Sequence, residues 1–199
     1  MPAETLPQMR LLLDILQGAG LSAAAGIRPF LPALAAGGLA SADVGLDFDG
    51  TRFAFLESPI FLAALVVALV LSVVLRARLI APTPAAALAG IGIGLGALLF
   101  AGTLDDRHDV WWPGLIAGLA CAALAGAAVR DLLARTGTRL DDEAARALPL
   151  YAEAVAMVLA GAAILVPPLS VPALAFLAWL LAVGRRRSGE KYAGLRILR

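Results

Sequence analysis

An all-α, polytopic transmembrane helical bundle is the fold class this sequence predicts, and three observations carry it. Hydrophobic residues make up 61% of the 199 residues and charged ones 16%, with a mean hydropathy of +0.88. Soluble domains carry roughly 25% charged residues, so most of this chain has lipid as its solvent. Six apolar stretches approach the ~20 residues that a helix needs to cross a hydrocarbon core. They are residues 18–42, 58–76, 84–104, 110–133, 148–167 and 169–184. Basic residues collect in alternate connections between these stretches, which is how positive charge distributes around membrane spans.

The chain divides into an amphipathic interfacial helix within residues 1–17, a transmembrane domain at 18–184 and a basic tail at 185–199. Thr5 and Gln8 have the spacing of a capping box that starts a helix over residues 5–17. Leu6, Met9, Leu13 and Leu16 share one face of it, and Arg10, Asp14 and Gln17 share another, as expected of a helix lying in the interface. Glu4, Arg10 and Asp14 stand where a cleavable signal peptide has a basic region followed by an apolar one.

The first span is the unusual one. Its core reads GLSAAAGIRPFLPALAAGG, with Arg28, Pro29 and Pro32 among apolar residues. Proline lacks an N–H, so Pro29 removes the donor to the Ala25 carbonyl and Pro32 the donor to the Arg28 carbonyl. The residue before a proline is also driven out of the helical region. The span is therefore expected to break between Gly26 and Pro32 into two half-helices. Non-helical backbone at membrane depth persists only inside protein or beside a wet cavity. A charge there costs ~2.5–3.5 kcal/mol on insertion scales and needs a partner. Arg28 brings five donors that could satisfy freed carbonyls, clamp the break or hold an anion.

Orientation follows from Arg and Lys. With the N-terminus cytoplasmic, thirteen of the sixteen basic residues lie in cytoplasmic segments; only Arg52 and Arg107 lie outside, and Arg28 is in the membrane. Both termini are then expected in the cytoplasm. The outer connections hold Asp43, Asp47, Asp49, Glu57, Asp105, Asp106 and Asp109. The third span reads GIGIGLGALLFAG, in which Gly90 with Gly94 and Gly92 with Gly96 form two interleaved GxxxG pairs. Such pairs allow close helix packing, within the chain or in a homo-oligomer. Cys121 is the only cysteine and forms no intrachain disulfide.

Glu153 is the other charge well within a span and the natural partner of Arg28. It serves either as a structural counter-charge or as a site for a proton or ligand. ILVPPLSVPAL, with Pro167, Pro168 and Pro172, is a turn or a second broken segment of the kind found in transporters with inverted repeats. DDRHD at 105–109 holds the only histidine, His108, too crowded in sequence to expect a metal. Trp111 and Trp112 follow at an interfacial depth. The tail GRRRSGEKYAGLRILR suits anionic lipid or a cytoplasmic partner rather than nucleic acid. HExxH, GxSxG, P-loop and repeated-Asp motifs are absent. No cofactor or catalytic residue is expected, and the enzymatic reading ranks last.

AAAGIRPFLPALAAGGLA, followed by FAFLESPIFLAALVVALVLSVV, resembles the bacterial membrane proteins grouped as domain of unknown function 4126. The resemblance extends to the Phe53–Pro59 approach to the second span and to YAEAVAMVL, where Glu153 takes the position of the family's acid. After the second span the family often has an acidic stretch; here it reads LSVVLRARLIAPTP, without an acid. The resemblance implies a protein of the bacterial inner membrane and brings no activity with it. Two readings remain open. One is a small transporter- or channel-like protein in which Arg28 binds an anionic group and Glu153 is its counter-charge or proton site. The other is a structural or assembly protein that recruits a partner through its tail.

Overall fold

A computed structural model describes residues 5–75, 82–108 and 110–193. Arg76, Arg78, Asp109 and the last six tail residues, on which some of the expectations above rest, lie outside the described residues. All regular structure among the described residues is helical: α1 (Thr5–Ile27), α2 (Phe30–Ala40), α3 (Pro59–Val74), α4 (Pro82–His108), α5 (Trp112–Gly137), α6 (Asp142–Leu165) and α7 (Ser170–Ala193), with short 3-10 turns at Ala54–Glu57 and Pro167–Leu169. Five of these helices (α1, α4, α5, α6 and α7) are long and apolar enough to cross a membrane, so the chain is an all-α membrane protein. Phe30–Ala40 and Pro59–Val74 are shorter apolar helices, ~17 and ~24 Å long at 1.5 Å per residue.

The bundle is built around α1. In its span 61% of residues are buried, against 17% in α7, and every residue from Gln17 to Gly26 is enclosed. Small residues make that enclosure possible, because helices in lipid associate through close packing. A Cβ at Gly18 would collide with Phe100 and Thr103 of α4, one at Gly20 with Ala163 of α6 and Ser170 of α7, and one at Gly26 with the Ala122 backbone of α5. Ser22 Oγ, fully buried, donates to the Gly118 carbonyl at 2.6 Å and ties α1 to α5.

No helix boundary falls at residue 17. Residues 5–27 form one helix, and of the polar face assigned to the interface only Arg10 is exposed, while Asp14 and Gln17 turn inward, 3% and 6% exposed. Met9, Leu11, Leu12 and Ile15 carry the exposed surface instead. Lipid inverts the amphipathic rule, because unsatisfied polar groups are costly there and turn inward. Asp14 meets His108 at the end of α4, Oδ2 to Nε2 3.2 Å.

The first span is interrupted at Arg28–Pro29, within the expected segment. Its halves nevertheless do not continue along one path. Gln17 Nε2 donates to the Gly45 carbonyl at 2.7 Å, and Gly45 lies against Ile164 near the end of α6. The chain after Arg28 has therefore turned back, and α2 runs antiparallel to α1. The prolines start α2 rather than break a span. Pro29 is its N-cap and Pro32 sits in its first turn, where a missing N–H costs no helical hydrogen bond.

This reversal changes the expected topology. Asp14 of α1 sits with the end of α4, whereas Gly184 of α7 packs against Asp131 and Arg135 near the end of α5. The start of α1 and the end of α7 thus lie at opposite ends of the bundle. One end gathers the 41–58 connection, the start of α5 and the α6–α7 turn. Pro167–Leu169 is that turn, and not a second broken span. The other end gathers Arg28, Arg130, Arg135, Arg139 and Arg185. The 41–58 loop is pinned by buried Leu46, Phe48, Phe53 and Leu56. Gly45 and Gly50 take φ of +71° and +73°, where a side chain is strained.

Candidate functional site

The Arg28 turn is held at the basic end by a close helix crossing. A Cβ at Gly126 would approach the Gly26 carbonyl oxygen to 2.5 Å, and Gly26 itself abuts the Ala122 backbone. Only glycine on both strands of the crossing lets α1 and α5 come so near. α6 runs antiparallel to α1 on the other side and brings Pro149 and Glu153 level with the turn. Arg28 Nη2 donates to the Pro149 carbonyl at 3.3 Å, and Arg28 Nε lies 3.5 Å from Glu153 Oε1. The charges expected to seek each other do meet, across 125 residues of sequence. Arg28 was expected to turn its donors on freed carbonyls of its own strand; this donor reaches across to α6.

The pair is not fully buried. Its side chains keep 21% and 23% of their surface accessible and border a cavity of ~260 Å³. Pro29 and Gly26 also line it, as do Ser72 of α3, Ala89 of α4 and Arg130 of α5. Pro32 does not line it; it is fully buried in the first turn of α2. The remaining wall is apolar, including Phe30, Leu88 and Leu133. Arg130 was counted only toward orientation by the sequence reading. Its guanidinium folds back over Gly126, 2.8 Å from where a Cβ would sit, which is how a residue near the end of a span reaches the site. α1 ends and α2 begins at the cavity, so the partial negative charge of one helix end stands beside the partial positive charge of the other.

The four glycines of α4 divide by face. Gly92 and Gly96 pack inward, a Cβ on either meeting Ala25 O or Ser22 O at 2.8 Å. Gly90 and Gly94 have nothing within 4 Å among the described residues and face outward. Positions two apart on a helix differ by ~200°, so one GxxxG pair packs within the chain and the other is presented outside.

At the opposite end DDRHD supplies structural links. The Arg52 N–H donates to Asp105 Oδ2 at 3.1 Å, and His108 holds Asp14. Arg52 lies over the Trp111 ring, 5.9 Å from its centroid. Asp47, Asp49 and Glu57 each bring a carboxylate oxygen within 4.8 Å of the others. Burial, and then the neighbouring Asp49, push the Glu57 carboxyl above its ordinary value.

No curated protein matches this chain. No solved structure matches it either. A family model matches residues 15–187, which take in α2 to α6 whole, most of α1 and α7, and every residue that lines the cavity. The chain belongs to the family described as domain of unknown function DUF4126.

Proposed function

We propose that this membrane protein is a small transporter- or channel-like protein that takes an anion into the Arg28–Glu153 cavity. The observation that supports it is the cavity: a purely structural ion pair needs no space around it, and here ~260 Å³ borders both charges. Arg28 is the anion site, Glu153 its counter-charge in the empty state, and Gly26, Pro29 and Pro32 shape the turn that presents the guanidinium. We assign the basic end to the cytoplasm of a bacterial inner membrane, because Arg130, Arg135, Arg139 and Arg185 gather there. The start of α1 is then on the outer side. The competing scaffold reading draws on the outward face of Gly90 and Gly94, which suits a neighbouring copy, and on a basic tail suited to anionic lipid or a cytoplasmic partner.

Flux decides between them. Protein reconstituted in liposomes is expected to speed the entry of chloride, inorganic phosphate or benzenesulfonate over protein-free liposomes, and Arg28→Met to abolish the gain. Entry no faster than in protein-free liposomes for all three anions would leave the scaffold.

A further inference from the structure

We infer that the cavity opens sideways between α3 and α4, and that an anionic membrane lipid docks at this opening with its phosphate on Arg130 and its chains against the two helices. The inference shares the cavity of the reading above. It depends neither on flux nor on any change in the Arg28–Glu153 pair.

The walls of the opening come from two helices that pack elsewhere. α3 lies against α2 and the Ala54–Glu57 turn, and α4 chiefly against α1 and α5. Leu69, Ser72 and Val73 of α3 turn one face to the cavity, and Ala85, Leu88 and Ala89 of α4 turn another. In each set the residues stand three and four apart, which puts them on one side of their helix. Val73 lines the cavity and is also 58% exposed on the outside of the bundle, so the cavity reaches the lipid-facing surface there. Ser72 and Val73 stand in the last turn of α3 and Ala85 in the first turn of α4. The opening therefore lies at the basic end, near the head groups of that leaflet. The Ser72 hydroxyl donates to the Leu69 carbonyl of its own helix at 2.7 Å, and the other wall residues are apolar. Lipid chains fit such walls, whereas a hydrated soluble ion would lose its water against them with little return.

Charge selects the head group. The charged residues that line the cavity, among those described, are Arg28, Arg130 and Glu153. Arg28 and Glu153 face each other at 3.5 Å, which leaves one net positive charge at the cavity, on Arg130. No carboxylate among the described residues pairs with Arg130: Glu153 is met by Arg28, and Asp131 is held by Arg135 at 2.8 Å. Side chains on a helix lean toward its N-terminus, which for α5 is away from the basic end. The Arg130 guanidinium accordingly lies over Gly126, at the depth of the cavity, and is exposed at its rim. A cation at that depth calls for an anion. Basic side chains at the membrane surface attract anionic lipid, and a guanidinium can take two phosphate oxygens at once. A zwitterionic head group brings its own cation to the same place and gains less.

The test is the melting temperature of the full-length protein in a neutral detergent, with dioleoyl phosphatidylglycerol, dioleoyl phosphatidylcholine or glycerol 3-phosphate added. Phosphatidylglycerol at about 100 times its dissociation constant should raise it by about 5 °C or more, and the other two by much less. Arg130→Gln should lose most of that rise. Arg139→Gln, which removes an exposed arginine at the same end but outside the cavity, should keep it. Ala89→Leu leaves Arg130 in place and fills the opening, and it should lose the rise as well. Equal stabilisation by both lipids, or by glycerol 3-phosphate as much as by phosphatidylglycerol, overturns the inference. So does an Arg139→Gln protein that loses as much as Arg130→Gln, which would mark general attraction to the basic end, or an Ala89→Leu protein that keeps the full rise. Anion flux with none of these lipid effects would leave the transport reading standing alone; the lipid effects without flux would leave this site standing alone.

Discussion

Gln17 and Gly45 are joined by a 2.7 Å hydrogen bond although 28 residues separate them. A helix continuing in one direction would carry them ~40 Å apart. This bond places the Arg28 turn at one end of a helical hairpin, and with it the whole topology. Reporter fusions at Met1 and at Arg199 are accordingly expected to report opposite compartments, the second cytoplasmic. The same compartment for both would show that α1 and α2 cross as one span.

Glycine substitutions in the bundle should differ in sign. Gly26→Ala forces a Cβ into the Ala122 backbone and is expected to cost about 1–3 kcal/mol. Gly90→Ala fills open space on the outer face and should gain about 0.5–1 kcal/mol of helix stability. Melting in detergent, with sizing alongside, checks both. A loss at Gly90 with a smaller assembled size would mean that the outer face holds a second copy.

Arg28→Met and Glu153→Gln should each destabilise the protein, and the double variant should lose less than their sum. The coupling expected for a contacting pair is about 0.5–3 kcal/mol. Additive losses would mean that the 3.5 Å approach contributes nothing to folding.

How much of this could be read in advance differs from residue to residue. Class, the break at Arg28–Pro29 and the Arg28–Glu153 meeting were legible, because cost alone dictates them: lipid tolerates neither a free carbonyl nor a lone charge. The direction of the chain after Pro29 was not. Prolines remove the same donors whether they kink a span or start a returning helix. Asp14 and Gln17 misled for a related reason, since an amphipathic pattern shows which residues share a face and not whether that face meets water or protein. Arg130 had no local signal, because its reach to the site depends on Gly126 beneath it and on an α5 position known only from the fold.

The outer acids should give the protein a pH response of defined sign. The Glu57 carboxyl is raised above its ordinary value by burial and by Asp49. A group with a raised folded value contributes stability that is fully present below its unfolded value of 4.5 and is lost as pH rises through the folded one. The 41–58 loop should therefore tighten on mild acidification, and Glu57→Gln should raise the melting temperature at neutral pH and flatten its change with pH. A lower melting temperature for Glu57→Gln at neutral pH would mean that the hydrogen bond from the Phe48 N–H outweighs the crowding of three carboxylates.

Thiol accessibility tests most directly whether the Arg28–Glu153 cavity is open to water at the basic end. Ser72 lines the cavity, whereas Val67, on the same helix, is 64% exposed on the outside of the bundle. Each is replaced singly by cysteine in a Cys121→Ser background, and inside-out vesicles receive a charged, membrane-impermeant thiol reagent. Modification proceeds through the thiolate, which forms in water and not in lipid. Rapid labelling of Ser72→Cys beside an inert Val67→Cys is the predicted result. Ser72→Cys as inert as Val67→Cys would contradict it, leaving Arg28 and Glu153 as a dry clamp.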